Sequence, residues 1–285
     1  MAYGVSGETS IGLFNLFGAK QAHAPAPHQA EGAPNTHRRF GVGSAKMFDR
    51  DAARDAVELF CTPAGDRGPQ WVEAFYACAW NASVSAADPP FFTGPDDLPY
   101  YRLNFRRDGE TFAPECLSNL ASTCLEAGAG AAFFASPDDP DTSPQVVVFM
   151  STLDSLLRYD THEGDPVDQR EILSQDASPP GDRDVQELTA SPSSDFLPPY
   201  VARALHRYMS QVWGIRNPRV HLMIREDLRP TRNLVIGRKR SDFASDEEVN
   251  TAVAYLSWFL PPKRGIVIMP ESWRQGDMTP LSDLF

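Results

Sequence analysis

The sequence predicts an α/β fold, in the α+β sense, made of two related lobes that are each a small mixed sheet flanked by helices. Three observations carry that expectation. Between Arg219 and Arg240, Val220, Leu222 and Ile224 alternate with His221, Met223 and Arg225, and Leu234 and Ile236 alternate with Val235 and Gly237. Side chains on a strand point to opposite faces with period two, so these are two half-buried strands, and the polar, proline-bearing break around Pro230 is short enough for a hairpin. Apolar stripes at helical spacing stand on either side of the hairpin. A similar order of helices and strands recurs in the first half of the chain.

In chain order, residues 1–45 are rich in Ala, Gly, Pro, His and Ser without periodicity, and are expected to form a disordered tail. Inside it, Ile11, Leu13, Phe14, Leu16 and Phe17 form an apolar cluster that reads as a docking motif, as a tail folding back on the domain, or as a stretch with no role. The first lobe, 46–159, opens with a helix over Asp51–Phe60 and a second starting at Pro69, where a missing N–H costs nothing. Pro89–Pro99 reads as a loop and Tyr100–Phe105 as a strand. Thr111 is placed to cap a helix over 112–127 with Cys116 and Cys124 on roughly one face, ended by Gly128 and Gly130. Strands over 131–135 and 145–150 and a helix over 151–158 complete the lobe.

Asp160–Asp195 carries ten acidic residues against two arginines, a net of −8, and 160–197 is therefore expected as a solvated, flexible linker. The second lobe, 198–285, begins with a proline-led helix over 199–213, striped by Val201, Leu205, Tyr208 and Val212. The hairpin follows. Ser245 and Glu248 then form a capping box for a helix over 246–260, and Gly265–Met269 is a third strand. Helix, strand, turn, strand, helix thus occurs twice, at an offset of about 87 to 94 residues.

The second lobe resembles the C-terminal domain of the enhanced-serine-sensitivity (SseB) family. The features that match are PPYVARALHRYMSQ, VHLMIRE, NLVIGRK after a proline-containing turn, the acidic helix start SDEEV, and GIVIMP. The resemblance covers about a third of the chain. It implies a soluble bacterial α/β protein and transfers no catalytic residue and no cofactor. The long tail and the acidic linker depart from that family's compact pattern.

No GxSxG, HExxH, Walker A or GxGxxG is present, and GVGSAK at 41–46 lacks P-loop spacing. Cys61, Cys78, Cys116 and Cys124 lack ligand spacing and read as buried free thiols of a cytoplasmic protein. His206 and His221 read as structural histidines, and Asp138, Asp139 and Asp141 as a solvated turn. No metal and no cofactor is expected. A net charge of −12 disfavours nucleic acid and anionic membrane as partners, and no stretch approaches the roughly 20 apolar residues of a membrane span.

Charge is nevertheless segregated. Pro198–Arg264 holds 12 Lys or Arg against 6 Asp or Glu. Arg225, Arg229, Arg232, Arg238, Lys239 and Arg240 cluster around the hairpin, either as a surface for an acidic partner that the acidic linker is able to cover or as charge guarding a sheet edge. The function expected is that of a non-enzymatic cytosolic adaptor or regulator that binds a protein partner through this basic hairpin, through the apolar N-terminal motif, or through both. The alternatives are an enzyme with a site between the lobes, gathering His206, His221 or cysteines, and a secretion-associated or structural assembly component.

Overall fold

The computed structural model describes residues 47–106, 109–135, 143–173 and 187–285. They form an α/β fold with two lobes. The first runs α1 (Arg50–Leu59), α2 (Pro69–Ala79), β1 (Ser85–Thr93), β2 (Pro99–Asn104), α3 (Leu117–Ala127), β3 (Gly130–Phe134), β4 (Val146–Val148) and α4 (Met150–Tyr159). After α5 (Pro166–Leu173) and β5 (Glu187–Ala190), the second runs α6 (Pro199–Gln211), β6 (Arg219–Arg225), β7 (Arg232–Lys239), α7 (Asp246–Ser257), β8 (Gly265–Met269) and β9 (Thr279–Pro280). One sheet has the order β1-β2-β3-β4; the other has β5-β6-β7-β8, with β9 pairing β6 beside β5.

Local chemistry accounts for most boundaries. Asp49 caps α1, its Oδ1 accepting from Asp51 N at 2.9 Å and Ala52 N at 3.3 Å. Pro69 and Pro199 open α2 and α6 at the first turn. Two expectations fail here. Pro89–Pro99 is not all loop: β1 extends to Thr93, and the register slips between Ala86 and Phe91, so the proline pair sits in a bulge on an edge strand that needs no donor there. Thr111 does not cap α3. Pro114 disfavours helical backbone before it, Glu115 exchanges backbone bonds with Val84 at 2.8 and 2.9 Å, and the helix begins only after Cys116. Cys116 is thus outside the helix that carries Cys124.

The recurrence is real but differently registered. The matching units are α2-β1-β2-α3-β3 and α6-β6-β7-α7-β8. In each, the first two strands are antiparallel and the third is parallel to the second. Counterparts lie about 130 residues apart, not 87 to 94. With β1 read as loop, the first hairpin went unrecognised and the β3–β4 pair stood in its place.

The two sheets share one core. A continuous cluster joins Phe75, Trp80, Leu103 and Phe133 of the first lobe to Val201, Leu205, Leu234, Ile236 and Leu256 of the second. Ser151 N donates to Trp258 O at 3.0 Å, and Trp258 Nε1 donates to Tyr100 OH at 3.1 Å. α3 meets α6 at Gly128, whose φ of +69° closes the helix and whose missing Cβ would lie 3.1 Å from Ala204 Cβ. The far face of the second sheet is apolar as well: Met223, Val235, Val267 and Met269 are covered by Met278 and Trp273.

The acidic segment is not simply a linker. Residues 174–186 lie outside the described residues, but the rest carries α5 and β5. Arg264, its side chain fully buried, donates from Nε to Asp168 Oδ2 at 3.1 Å, from Nη2 to Asp165 Oδ2 at 2.9 Å, and from Nη1 to Phe196 O. Arg232 Nη2 reaches Asp168 Oδ1 at 2.7 Å and Asp165 Oδ2 at 3.3 Å. Glu171 pairs with Thr231, whose N–H donates to Oε2 at 2.7 Å. Carboxylates expected to be solvated thus act as the counter-ions of the second lobe.

Two predictions follow from this burial. Arg264→Ala leaves the buried Asp165 and Asp168 carboxylates with Arg232 as their one counter-ion among the described residues, and should lower stability by about 3 kcal/mol or more in urea melts at neutral pH. His162, packed 5.1 Å from the Tyr76 ring, has its pKa lowered by burial. The neutral imidazole is therefore favoured in the folded state. Its contribution is fully present above the unfolded value of about 6.5 and is lost as pH falls through the folded value. The melting temperature should fall between pH 7.5 and 5, and less so in His162→Phe. An equal fall in both proteins would contradict this.

Candidate docking groove

The hairpin cations do not form a free basic surface. Arg225 is held by Asp227, with Nε at 2.9 Å from Oδ1 and Nη2 at 2.5 Å from Oδ2, and by Glu187 at 3.9 Å. Arg232 is committed to the buried carboxylates. Lys239 Nζ donates to Glu271 O at 2.8 Å, and Arg240 Nε to Asp246 Oδ1 at 2.6 Å. Arg229, at the tip, is exposed and donates to the Glu226 and Leu228 carbonyls at 2.6 and 2.8 Å. Five of the six therefore have a carboxylate or aromatic partner within the chain, so positive charge on this face is largely compensated. Leu13, Phe14, Leu16 and Phe17, with residues 136–142 that include Asp138, Asp139 and Asp141, lie outside the described residues.

Arg238 leads to the site that the sequence reading missed. Its guanidinium lies 3.9 Å from the Phe243 ring and 5.3 Å from that of Trp213, and Nη2 donates to Asp242 O at 2.9 Å. It lines a groove of about 300 Å³ between the lobes, walled by Tyr208, Val212 and Trp213 from α6 and its exit, and by Glu248, Thr251, Ala252 and Tyr255 from α7. Asp96 and Asp97, from the β1–β2 turn of the first lobe, close the far side.

Helix ends build these walls. Gly214, at φ +67°, turns the chain after α6, and Ile215 N donates to Met209 O at 3.2 Å. This leaves Val212 58% exposed at the groove lip. Tyr208 is the central ring, 5.7 Å from Trp213, 6.3 Å from Tyr255 and 5.2 Å from Phe259. Burial, with Tyr255 nearby, pushes its phenol up to about 12, so it stays neutral. At the start of α7, Ser245 Oγ accepts from Glu248 N at 3.2 Å, and Glu248 Oε2 accepts from Ala244 N at 2.7 Å. Asp96 is pinned by Tyr100 OH at 2.5 Å and Leu98 N at 3.2 Å. Asp97 is exposed and has no side-chain partner among the described residues. Three carboxylates against one guanidinium give the groove a negative sum, and its rings add negative faces.

A second cavity, of about 430 Å³, opens where β5 ends and β9 begins along β6. His221, Trp273, Arg274, Asp277 and Glu187 line it. His221 Nδ1 is buried without a hydrogen-bond partner among the described residues, and burial lowers the ring's pKa. Its charges are of mixed sign, and Glu187 is turned to Arg225.

Neither His206 nor a cysteine lines the groove or the second cavity, whereas His221 lines the second cavity with Glu187 and Asp277. His206 sits 5.7 Å from the Phe285 ring and His221 6.0 Å from Trp273, each in an edge-to-face contact. Cys116 and Cys124 are buried, but Cys61 is exposed and Cys78 half-buried, against the expectation of four buried thiols. Burial pushes the Cys124 thiol up to about 12. Among the described residues, no cluster of three His, Cys, Asp or Glu is placed to hold a metal, and no helix is long and apolar enough to cross a membrane.

Comparison of the chain with protein-family models, curated proteins and solved structures finds no match.

Proposed function

We propose that this chain is a non-enzymatic, cytoplasmic adaptor or regulatory protein whose partner docks in the groove between the lobes. The second lobe is taken as SseB-like in the order α6-β6-β7-α7-β8. The observation that carries the docking reading is the exposure of Val212 beside Tyr208, Trp213 and Tyr255 under a rim of carboxylates. An exposed apolar and aromatic strip with a polar rim is what a protein interface offers. Charge complementarity selects the occupant: a segment that presents an apolar or aromatic side chain next to a lysine or arginine. This reverses the sign of the partner expected from the hairpin, because the hairpin cations are already satisfied.

The test is capture of partner by the immobilised full chain, compared among variants whose melting curves match the parent. Trp213→Ala should weaken capture about tenfold or more, as buried aromatic anchors do. Glu248→Lys should weaken it and reduce its salt dependence. Arg229→Glu, at the hairpin tip, should leave it unchanged. Loss of capture in the hairpin variant alone, with the groove variants unaffected, would refute the groove and restore the hairpin.

A further inference from the structure

We infer that in the resting chain the groove is occupied by the chain's own segment Ile11–Lys20, IGLFNLFGAK. The inference rests on the groove being a docking site and names its resident occupant. Three observations support it.

The first is chemical fit. The groove has aromatic walls, an exposed Val212 and an excess of negative charge. The segment offers Leu13, Phe14, Leu16 and Phe17, and its single charge is Lys20. Phe14 or Phe17 can pack edge-to-face against Tyr208, Trp213 or Tyr255, while Lys20 is within a few residues of them to meet Asp97 and Glu248. Arg238 stays on Phe243, so the groove's own cation does not compete for those carboxylates.

The second is reach. The described chain starts at Met47, and Asp49 pairs with Ala82 near the start of β1. The Asp96–Asp97 turn lies at the other end of β1, nine residues away, which is roughly 30 Å of strand. The chain between Lys20 and Met47 can extend to about 85 Å, so it spans this with slack. Arg38 and Arg39, the nearest alternative cations, would have to be drawn almost straight to arrive, since eight or nine residues reach only about 30 Å.

The third is the tether itself. Covalent attachment by a chain of this length supplies the segment at an effective concentration on the order of millimolar. A weak apolar and ionic contact is then enough to fill the groove, and a partner of the same chemistry has to displace it.

The experiment uses the full chain with the photo-reactive p-benzoylphenylalanine placed at position 17 instead of Phe17. Irradiation should cross-link it, within the monomer, to peptides containing Tyr208–Trp213 or Arg238–Tyr255. The double variant Asp97→Lys with Glu248→Lys should lower that yield about fivefold, and excess synthetic peptide of residues 9–22 should compete with it. Cross-links to any other part of the chain, a yield indifferent to the double variant, or cross-links confined to covalent dimers would each overturn the inference, the last by assigning the segment to a second copy. If these fail while partner capture still depends on Trp213, the groove remains a docking site and only its resident occupant is wrong. If capture too is indifferent to Trp213, the groove reading itself falls.

Discussion

The buried guanidinium of Arg264 is the constraint on which the arrangement of this chain depends. A fully buried arginine is tolerated only when its charge is neutralised and its donors are used. Here Asp165 and Asp168 supply the charge and Phe196 O accepts from Nη1, so that each of the three nitrogens donates, while the Phe196 ring lies 4.3 Å from the guanidinium. Those partners come from the approach to α5, from α5 and from the turn before α6. Satisfying one residue at the start of β8 therefore fixes the path of the chain between the lobes. The neighbouring Asp154 of α4 extends the set: it accepts from Tyr200 OH and from Arg158 Nη1 at 3.3 Å, and burial raises its pKa. α4 and α6 are tied by that contact.

Once the lobes are joined in this way, the groove is a consequence of the shared core. Trp258, at the end of α7, donates to Tyr100 OH, and Tyr100 in turn donates to Asp96. This chain of two hydrogen bonds runs from the interior to the rim and holds the β1–β2 turn against α7. Burial and the Asp96 carboxylate both raise the Tyr100 pKa, so the phenol keeps the proton that the second bond requires. The turn of one lobe and two helices of the other are thereby held at fixed separation, with Tyr208 and Tyr255 between them. A docking surface assembled from both lobes needs such a fixed spacing, because the loss of conformational freedom on binding is then small.

What the sequence made legible follows from the range of the forces involved. Period-two alternation located β6 and β7, and a short apolar run β8, to within a residue or two, and proline, serine and glycine placed the ends of α2, α6 and α7, because these signals are local. Non-local pairing was not legible. Pro89 and Pro90 read as loop because nothing nearby shows that their edge of β1 requires no donors. Thr111 looked like a cap because the bond between Glu115 and Val84, 31 residues apart in sequence, cannot be seen locally. The aromatic groove left one trace: Val212 continues the α6 stripe one turn past the residues that the core buries, and the stripe alone does not distinguish a core position from an exposed one.

The arginines show the same limit in electrostatic form. Counting charges along the chain gave a basic second lobe beside an acidic linker able to cover it, but not which carboxylate meets which cation. In the folded chain they are largely one another's partners: Asp165 and Asp168 neutralise Arg232 and Arg264, and Glu187 approaches Arg225. Burial alone would raise the Asp165 pKa, yet the bond from Val167 N and the two guanidiniums hold it below the usual carboxylate range, which is the signature of a pair closed within the chain. Once such pairs are removed from the account, the charges left facing the groove are Asp97, Glu248 and Asp96 against Arg238. The sign of the groove is therefore set by which carboxylates the core does not consume, and that is a property of the fold and not of the composition.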